Sequence, residues 1–364
     1  MALQKDIYAV IMAGGKGERF WPLSTAKHPK QVLTLFGDKP MLAMALDYLH
    51  GLIPPERVIV ITSADLVDAT CKAAPHIPRE NVIGEPFGRD TAAVCALASA
   101  LVKAKNPNGI FCVLTADHII ENVKLFQETL RESIQIARDN AVLLTIGIKP
   151  TFPSTGFGYI EADKPFESKS KAVKFKRVER FVEKPDVKTA GRYVRSNKFF
   201  WNAGMFVWSV KTLQAALQLH VPQLLAMAER ILPSVGTSGF DRLLKKEYEK
   251  LDKISVDYAL MEKADNIVMA QGVFGWDDVG SWGALQNHFK TDSSRNVKIG
   301  ACESIDAEDN IVVSKGRLTA LIGVKDLVVV QAENATLVCT KERAQDVKKM
   351  VQQLAKSGRH GDVL

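Results

Sequence analysis

Cysteine is scarce here: five residues, Cys71, Cys95, Cys112, Cys302 and Cys339, odd in number and never in a Cys-x-x-Cys pair. Such a set builds neither a disulfide framework nor a structural zinc site, and it suits a reducing cytoplasm. Long apolar runs are absent as well. The most apolar helical stretch, Thr91 to Val102, falls short of the about 20 residues that span a bilayer. The N-terminus lacks a basic-then-apolar leader pattern, since Gln4-Lys5-Asp6 runs straight into an apolar strand. Neither a membrane span nor a secretory leader is therefore expected. Low-complexity tracts and a fixed-period repeat are missing too. Basic residues are plentiful: the formal charge is +7, and many of them lie between Lys164 and Lys198. They are not interleaved with a stacking motif, which argues against a nucleic-acid partner. The same field serves as a solvated surface or as an attractor of small anionic substrates.

Two familiar phosphate motifs are also missing. A dinucleotide fingerprint begun at Gly15 needs glycine or alanine at position 20, where Phe20 stands. A P-loop needs Gly-Lys-Ser/Thr, and Lys16 is followed by Gly17. A dinucleotide-dependent oxidoreductase is disfavoured accordingly.

What does occupy this place starts with an unbroken apolar run, Ile7 to Ala13, of the kind that forms a strand buried on both faces. It stops at Gly14-Gly15-Lys16-Gly17, where glycine leaves the amides uncovered. Amides clustered in this way form a nest for anions, phosphate above all. Arg19 and Lys30 add fixed positive charge, and Pro22 and Pro29 stiffen the loop that carries them. A phosphate cradle and a plain glycine turn both fit the residues up to this point.

The chain has 364 residues, 46% of them hydrophobic and 24% charged, enough for a sizeable core. Strands expected at Arg57 to Thr62, Asn81 to Ile83, Gly109 to Thr115 and Ala141 to Ile148 alternate with helices at Met41 to His50, Ala64 to Ala73, Thr91 to Lys105 and Lys124 to Asn140. This alternation predicts an α/β fold with a Rossmann-like, doubly wound, mainly parallel sheet. Ligands of such sheets sit beyond the carboxyl ends of the strands. The glycine loop, Glu85 to Thr91 and Asp117 are therefore expected to converge. Past residue 150 the pattern loosens into strands at 156–162, 175–182 and 203–209, and helices at 187–196, 213–220, 222–231, 240–248 and 256–264. The polar stretch Thr291 to Asn296 marks a boundary. It gives a domain over 1–290 and a small β-rich C-terminal domain over 291–364, closed by a helix from Arg343 to Leu354.

Several short constellations carry chemistry. Leu114-Thr115-Ala116-Asp117-His118 places a carboxylate just after a buried strand, as a cap or as a ligand for a hard cation. Trp276-Asp277-Asp278-Val279-Gly280 offers further carboxylates in a glycine-bounded loop. Phe181-Val182-Glu183-Lys184-Pro185 ends a strand with an acid and a base, which alone reads equally well as a surface ion pair. Glu85, just past an expected strand, is a carboxylate able to accept two adjacent donors at once. Arg89 and Thr91 fit base recognition or the start of the helix that Asp90 caps. The five tryptophans are packing residues in the first instance.

Gly14-Gly15-x-Gly17-x-Arg19, then Pro22, then Pro29-Lys30-Gln31, resembles the signature of the sugar-1-phosphate nucleotidyltransferases. The variant Phe20-Trp21-Pro22-Leu23-Ser24 resembles the branch that transfers guanylyl to mannose-1-phosphate. The resemblance continues in family order to residue 282, with one departure, Asp90 where that branch has asparagine. It implies that the oxygen of mannose-1-phosphate attacks the α-phosphorus of GTP and releases pyrophosphate. Arg19, Lys30 and Lys184 would be the catalytic cations. Ala13, Gly14, Gly15, Gly17, Glu85, Arg89 and Thr91 would hold the nucleotide, and Gly158, Tyr159, Glu183, Asn202 and Gly204 the sugar. Asp117 and Asp278 would bind Mg²⁺, with Mn²⁺ as a substitute. The same resemblance implies a cytoplasmic homodimer whose C-terminal domain is a small left-handed β-helix. The stretch after Asp292 is too short for the isomerase barrel of long family members, so transferase activity alone is expected. A same-fold transferase for another sugar phosphate or base, and a non-catalytic regulatory subunit, are the alternatives.

Overall fold

The computed structural model describes residues 5–364, so the leader reading that rests on Gln4 lies outside it. The chain divides into two compact units. One comprises Met1–Gly14, Ala45–Ala116 and Ile120–Trp276; the other comprises Gly15–Met44, Asp117–Ile119 and Asp277–Leu364. Among the described residues no helix is long and apolar enough to cross a membrane.

The first unit is built on one mixed sheet. Strands β1 (Ile7–Ala13), β2 (Val58–Ser63), β3 (Val82–Glu85) and β4 (Ile110–Thr115) run parallel in the order β3-β2-β1-β4. Residues Ile7–Ile11 of β1 are fully buried, as the continuous apolar run requires. The short strand β5 (Ile119–Ile120) follows Asp117 in the chain. Further strands are β6 (Leu143–Ile148), β7 (Tyr159–Glu161), β8 (Phe175–Arg177), β9 (Arg180–Val182), β10 (Phe199–Ser209), β11 (Ile267–Gly272) and the short β12 (Trp276–Asp277). Past β4 the order continues β10-β6-β11-β8, with β6 and β11 in the sense of β1 and with β10 and β8 reversed.

Helices α1 (Met41–Asp47), α2 (Val67–Ala73), α3 (Thr91–Lys105), α4 (Val123–Asp139), α5 (Val187–Ser196), α6 (Val210–His220), α7 (Pro222–Ile231) and α8 (Phe240–Tyr248) fall close to the expected ranges. Asp90 caps α3 by accepting the Thr91 amide at 2.9 Å. Every residue from Ala92 to Val102 is buried, because α3 is enclosed by the sheet on one side and by α6, α7 and α8 on the others.

Two expectations need correction. The single strand at 175–182 is two strands, because the chain changes partner in the middle: β8 pairs with β11 and β9 with β7. The helix at 256–264 is a π-helical turn, Asp257–Met261, in which the Glu262 amide bonds back to the Asp257 carbonyl.

The second unit contains the loop after β1 and the C-terminal strands. These are β13 (Val297–Ile299), β14 (Cys302–Ile305), β15 (Ile311–Ser314), β16 (Thr319–Ile322), β17 (Leu327–Gln331) and β18 (Thr336–Thr340), followed by helix α9 (Val347–Ser357). β13, β15 and β17 stack in parallel, β14 pairs in parallel with β16, and β18 closes the stack antiparallel to β17. Alternation divides each strand between two cores. Ile311, Val313, Val328 and Val330 pack with Phe20, Trp21 and Trp282, whereas Val312 and Val329 pack with Ala307 and Leu321. Buried Asn296 and Asn310 link successive rungs: Asn310 donates to Asn296 Oδ1 and to the Val324 carbonyl, and accepts the Leu327 amide. They stand fourteen residues apart at the entrance to β13 and β15. Asparagine stands at the entrance to β13 and β15 only; β17 is entered from Asp326, so the sequence shows no strict period.

Candidate active site

In the second unit the glycine loop is shaped around one lysine. Gly17 adopts φ 63°, and a Cβ there would lie 2.5 Å from Lys30 Cβ and 2.8 Å from the Lys30 amide nitrogen, so only glycine fits. Ser24 pins the loop by donating to the Lys16 carbonyl at 2.9 Å. Lys30 is 5% exposed. Its ammonium donates to Asp117 Oδ2 at 2.9 Å, to the Asp117 carbonyl at 3.2 Å and to the Asp278 carbonyl at 2.9 Å, which satisfies all three of its protons. Arg19 is more open and reaches the Gly280 carbonyl at 3.5 Å.

The two aspartates at 277 and 278 have different surroundings. Asp277 accepts the Val279 amide at 2.7 Å, Asn287 at 3.1 Å and the His288 ring at 2.8 Å, so it shapes the turn. Val279 takes φ 46°, a left-handed conformation rare for a β-branched residue and typical of strain held at functional sites. Asp278 has no hydrogen bond to its carboxylate among the described residues. Burial, and then the negative charges of Asp277 and Asp117 against the pull of Lys30 and Arg19, push its carboxyl up to about 6. At Asp117 burial opposes ionisation, but Lys30 and His118 outweigh it and hold the carboxyl below its ordinary value. His118 is held down to about 4 by burial and by Lys30.

In the first unit, Glu85 ends β3, and a Cβ on Gly14 would lie 3.7 Å from Glu85 Oε2, so the end of β1 meets the end of β3. Glu85 is 7% exposed, and burial pushes its carboxyl up to about 7 against the stabilising Arg89 amide. Tyr248, fully buried beside it, turns its hydroxyl toward the Glu85 carboxylate, which that hydroxyl helps to stabilise. The Arg89 guanidinium donates to the Tyr248 carbonyl at 2.9 Å and the Glu249 carbonyl at 3.4 Å, closing the end of α8. Thr91 Oγ1 accepts the Val256 amide at 2.8 Å.

The remaining candidates gather on the β10 side of the same sheet. Gly158 accepts the Asn202 amide at 2.8 Å, and a Cβ on Gly158 would come 2.4 Å from Glu183 Oε2. Glu183 is paired with Lys184 at 2.6 Å, and Lys184 takes φ 46°. Gly204 takes φ 65° in the bulge of β10, and its amide donates to Asn202 Oδ1. The Tyr159 hydroxyl is buried and donates to the Ser154 carbonyl at 2.9 Å. Asp257, which sequence reasoning read as part of an ordinary helix, accepts Asn202 Nδ2 at 2.8 Å. Tyr248 was missed in the same way, and no local pattern distinguishes it.

Fold and site together define a nucleotidyltransferase. The Nucleotidyl transferase family model matches residues 8–295, and the MannoseP isomerase/GMP-like beta-helix domain model matches residues 301–354. The chain belongs to the mannose-1-phosphate guanylyltransferase family of nucleotidyl transferases. It is 34% identical over 362 residues to a mannose-1-phosphate guanylyltransferase of Escherichia coli, covering 98% of this chain and 77% of the relative. It is 37% identical over 363 residues to mannose-1-phosphate guanylyltransferase ManC of Salmonella typhimurium, covering 98% and 75%. Among solved structures, one from Thermus thermophilus described as a mannose-1-phosphate geranyltransferase superposes with TM-score 0.85 at 34% identity, over 96% of this chain and 99% of that one. A Helicobacter pylori structure described as a mannose-6-phosphate isomerase shares the fold at TM-score 0.60 and 24% identity, over 75% of this chain and 99% of that one.

Proposed function

We propose that this chain makes GDP-mannose. An oxygen of the mannose-1-phosphate phosphate forms a bond to the α-phosphorus of GTP, the bond from that phosphorus to the bridging oxygen breaks, and pyrophosphate leaves. The observation that carries the reading is the Lys30–Asp117–Asp278 cluster. One buried ammonium is held by one carboxylate and two carbonyls, next to a second carboxylate whose own charge is disfavoured chiefly by burial.

Such a pair suits a divalent cation. Among the described residues no group of three or more His, Cys, Asp or Glu is placed to hold a metal. Mg²⁺ does not require one, because it takes one or two carboxylates and fills its other positions with water and substrate phosphate. Asp117 and Asp278 would hold it, and Mn²⁺ would substitute. The ion would supply charge neutralisation at the phosphates.

The chain's own groups supply the rest by positioning and electrostatics, with no protein nucleophile. Arg19 and the amides of Gly14, Gly15 and Gly17, with Ala13 at the end of the strand, hold the leaving phosphates. Lys30 keeps Asp117 ionised and neutralises charge near the α-phosphate. Glu85 accepts the two guanine donors, with Arg89 and Thr91 fixing the loop that presents it. Lys184 draws the phosphate of the incoming sugar, while Glu183, Asn202, Gly158, Tyr159 and Gly204 form the sugar side. A cytoplasmic homodimer is part of the same reading; the exposed apolar side chains of Ile305 on β14, Ile322 on β16 and Leu318 just before β16 support its pairing.

Asp278→Asn tests the assignment by pyrophosphate release at saturating Mg²⁺. Turnover is expected to fall on the order of a thousandfold. Near-normal turnover would contradict it.

A further inference from the structure

We infer that Asp257 is a positioning residue for sugar recognition: its carboxylate fixes the Asn202 side chain in the one orientation that serves the sugar-1-phosphate. This rests on the reading that Asn202 faces the sugar.

An asparagine side chain has two near-identical ends, and a sugar reader is useful only if its environment decides which end is the donor. Asn202 is settled from both ends. Its Oδ1 accepts the Gly204 amide at 3.1 Å and shares the single proton of the Thr145 hydroxyl, 3.4 Å away, with the Met205 carbonyl at 3.3 Å. Its Nδ2 donates to Asp257 Oδ1 at 2.8 Å, a bond strengthened by the charge of the acceptor. With the oxygen engaged by the bulge of β10, the amide keeps one N–H to offer a sugar oxygen. The rotated side chain would set its NH₂ against the Gly204 N–H and its oxygen against a carboxylate.

Asp257 is itself held in place. It opens the π-helical turn Asp257–Met261, a rare geometry that often marks functional sites. The segment before it is laced to the loop that carries Glu85. The Ile254 amide donates to the Arg89 carbonyl, the Ala92 amide to the Ile254 carbonyl, and the Val256 amide to Thr91 Oγ1. The base loop thus sets the position of Asp257, and Asp257 sets Asn202.

The test is a double-mutant cycle on the intact protein, with KM for mannose-1-phosphate, KM for GTP and melting temperature measured on Asp257→Ala, Asn202→Ala, the double variant and Asp257→Asn. Losing a hydrogen bond to a charged partner predicts a rise in the sugar KM of roughly ten- to a hundredfold for Asp257→Ala, with the GTP KM within about twofold. Adding Asp257→Ala to Asn202→Ala should change little, because the two act as one unit. Asp257→Asn keeps an acceptor oxygen and should recover most of the loss. Additive effects, or equal rises in both KM values, would overturn the positioning role while leaving Asn202 as a sugar residue. An Asn202→Ala variant with an unchanged sugar KM would overturn both.

Discussion

The Lys30 ammonium lies 2.9 Å from the Asp117 carboxylate, a pair closed across 87 positions of sequence. The lysine is 5% exposed and the aspartate side chain 37% exposed, so the contact has a dry side and a wet side. The cation is fixed and the carboxylate remains reachable. Lys30→Met should therefore lower kcat by roughly a hundredfold or more while leaving both KM values within a few-fold. Steady-state kinetics decides it, and an unchanged kcat would remove Lys30 from the machinery.

The adjoining glycines should respond differently to the same substitution. Gly17→Ala forces a left-handed alanine, at about 1–2 kcal/mol, and drives its Cβ into Lys30. At Gly15 nothing lies within 4 Å of an added Cβ, so Gly15→Ala should stay within about 0.5 kcal/mol of the parent. Thermal melts of the two variants make the comparison. Equal melting temperatures would mean that the loop is not built around Lys30.

Glu85 should make nucleotide affinity depend on pH. Its carboxyl is pushed up to about 7, chiefly by burial, and it must be ionised to accept two guanine donors. The KM for GTP is expected to fall as pH rises through about 7, and the dependence should flatten in Glu85→Gln. Stability moves the opposite way in the substrate-free protein. A folded-state value above the unfolded one stabilises fully below the unfolded value, and this contribution is lost as pH rises through the folded value. A GTP KM that is flat with pH in the parent protein would contradict the role.

Asn310 is fully buried, and its side chain makes three of the bonds that link the C-terminal rungs. Asn310→Ala should destabilise the protein by about 2–3 kcal/mol, since carbonyl and amide groups lose their partners inside the stack. Denaturant melts measure this, and a change below about 0.5 kcal/mol would mean that water replaces the side chain.

The parts of the fold legible in the sequence were those with local signals. The apolar run Ile7 to Ala13 forms β1, and the alanine-rich stretch from Thr91 forms α3 over its expected length. The change of partner between Arg177 and Arg180 was not legible, because it depends on which distant strand offers free carbonyls. Asp257 was hidden for a related reason: a π turn starts from helix-like sequence, and the residue that gives Asp257 meaning, Asn202, is 55 positions away. Arg89 reads from sequence as a base contact or as part of a helix start; that its guanidinium meets the carbonyls at the end of α8, some 160 residues on, was not legible there. Short C-terminal strands were expected beyond the polar stretch at 291–296; which of them stack was not legible, because their spacing varies and asparagine marks only the entrances to β13 and β15.

The central claim is tested most directly by measuring pyrophosphate release with Mg²⁺ while GTP, ATP, UTP and dTTP are crossed against mannose-, glucose- and fucose-1-phosphate. Fast turnover with GTP and mannose-1-phosphate, and far slower turnover with every other pair, is the predicted result. Faster turnover with another pair would contradict the assigned substrates, and no release with any pair would contradict the transferase itself.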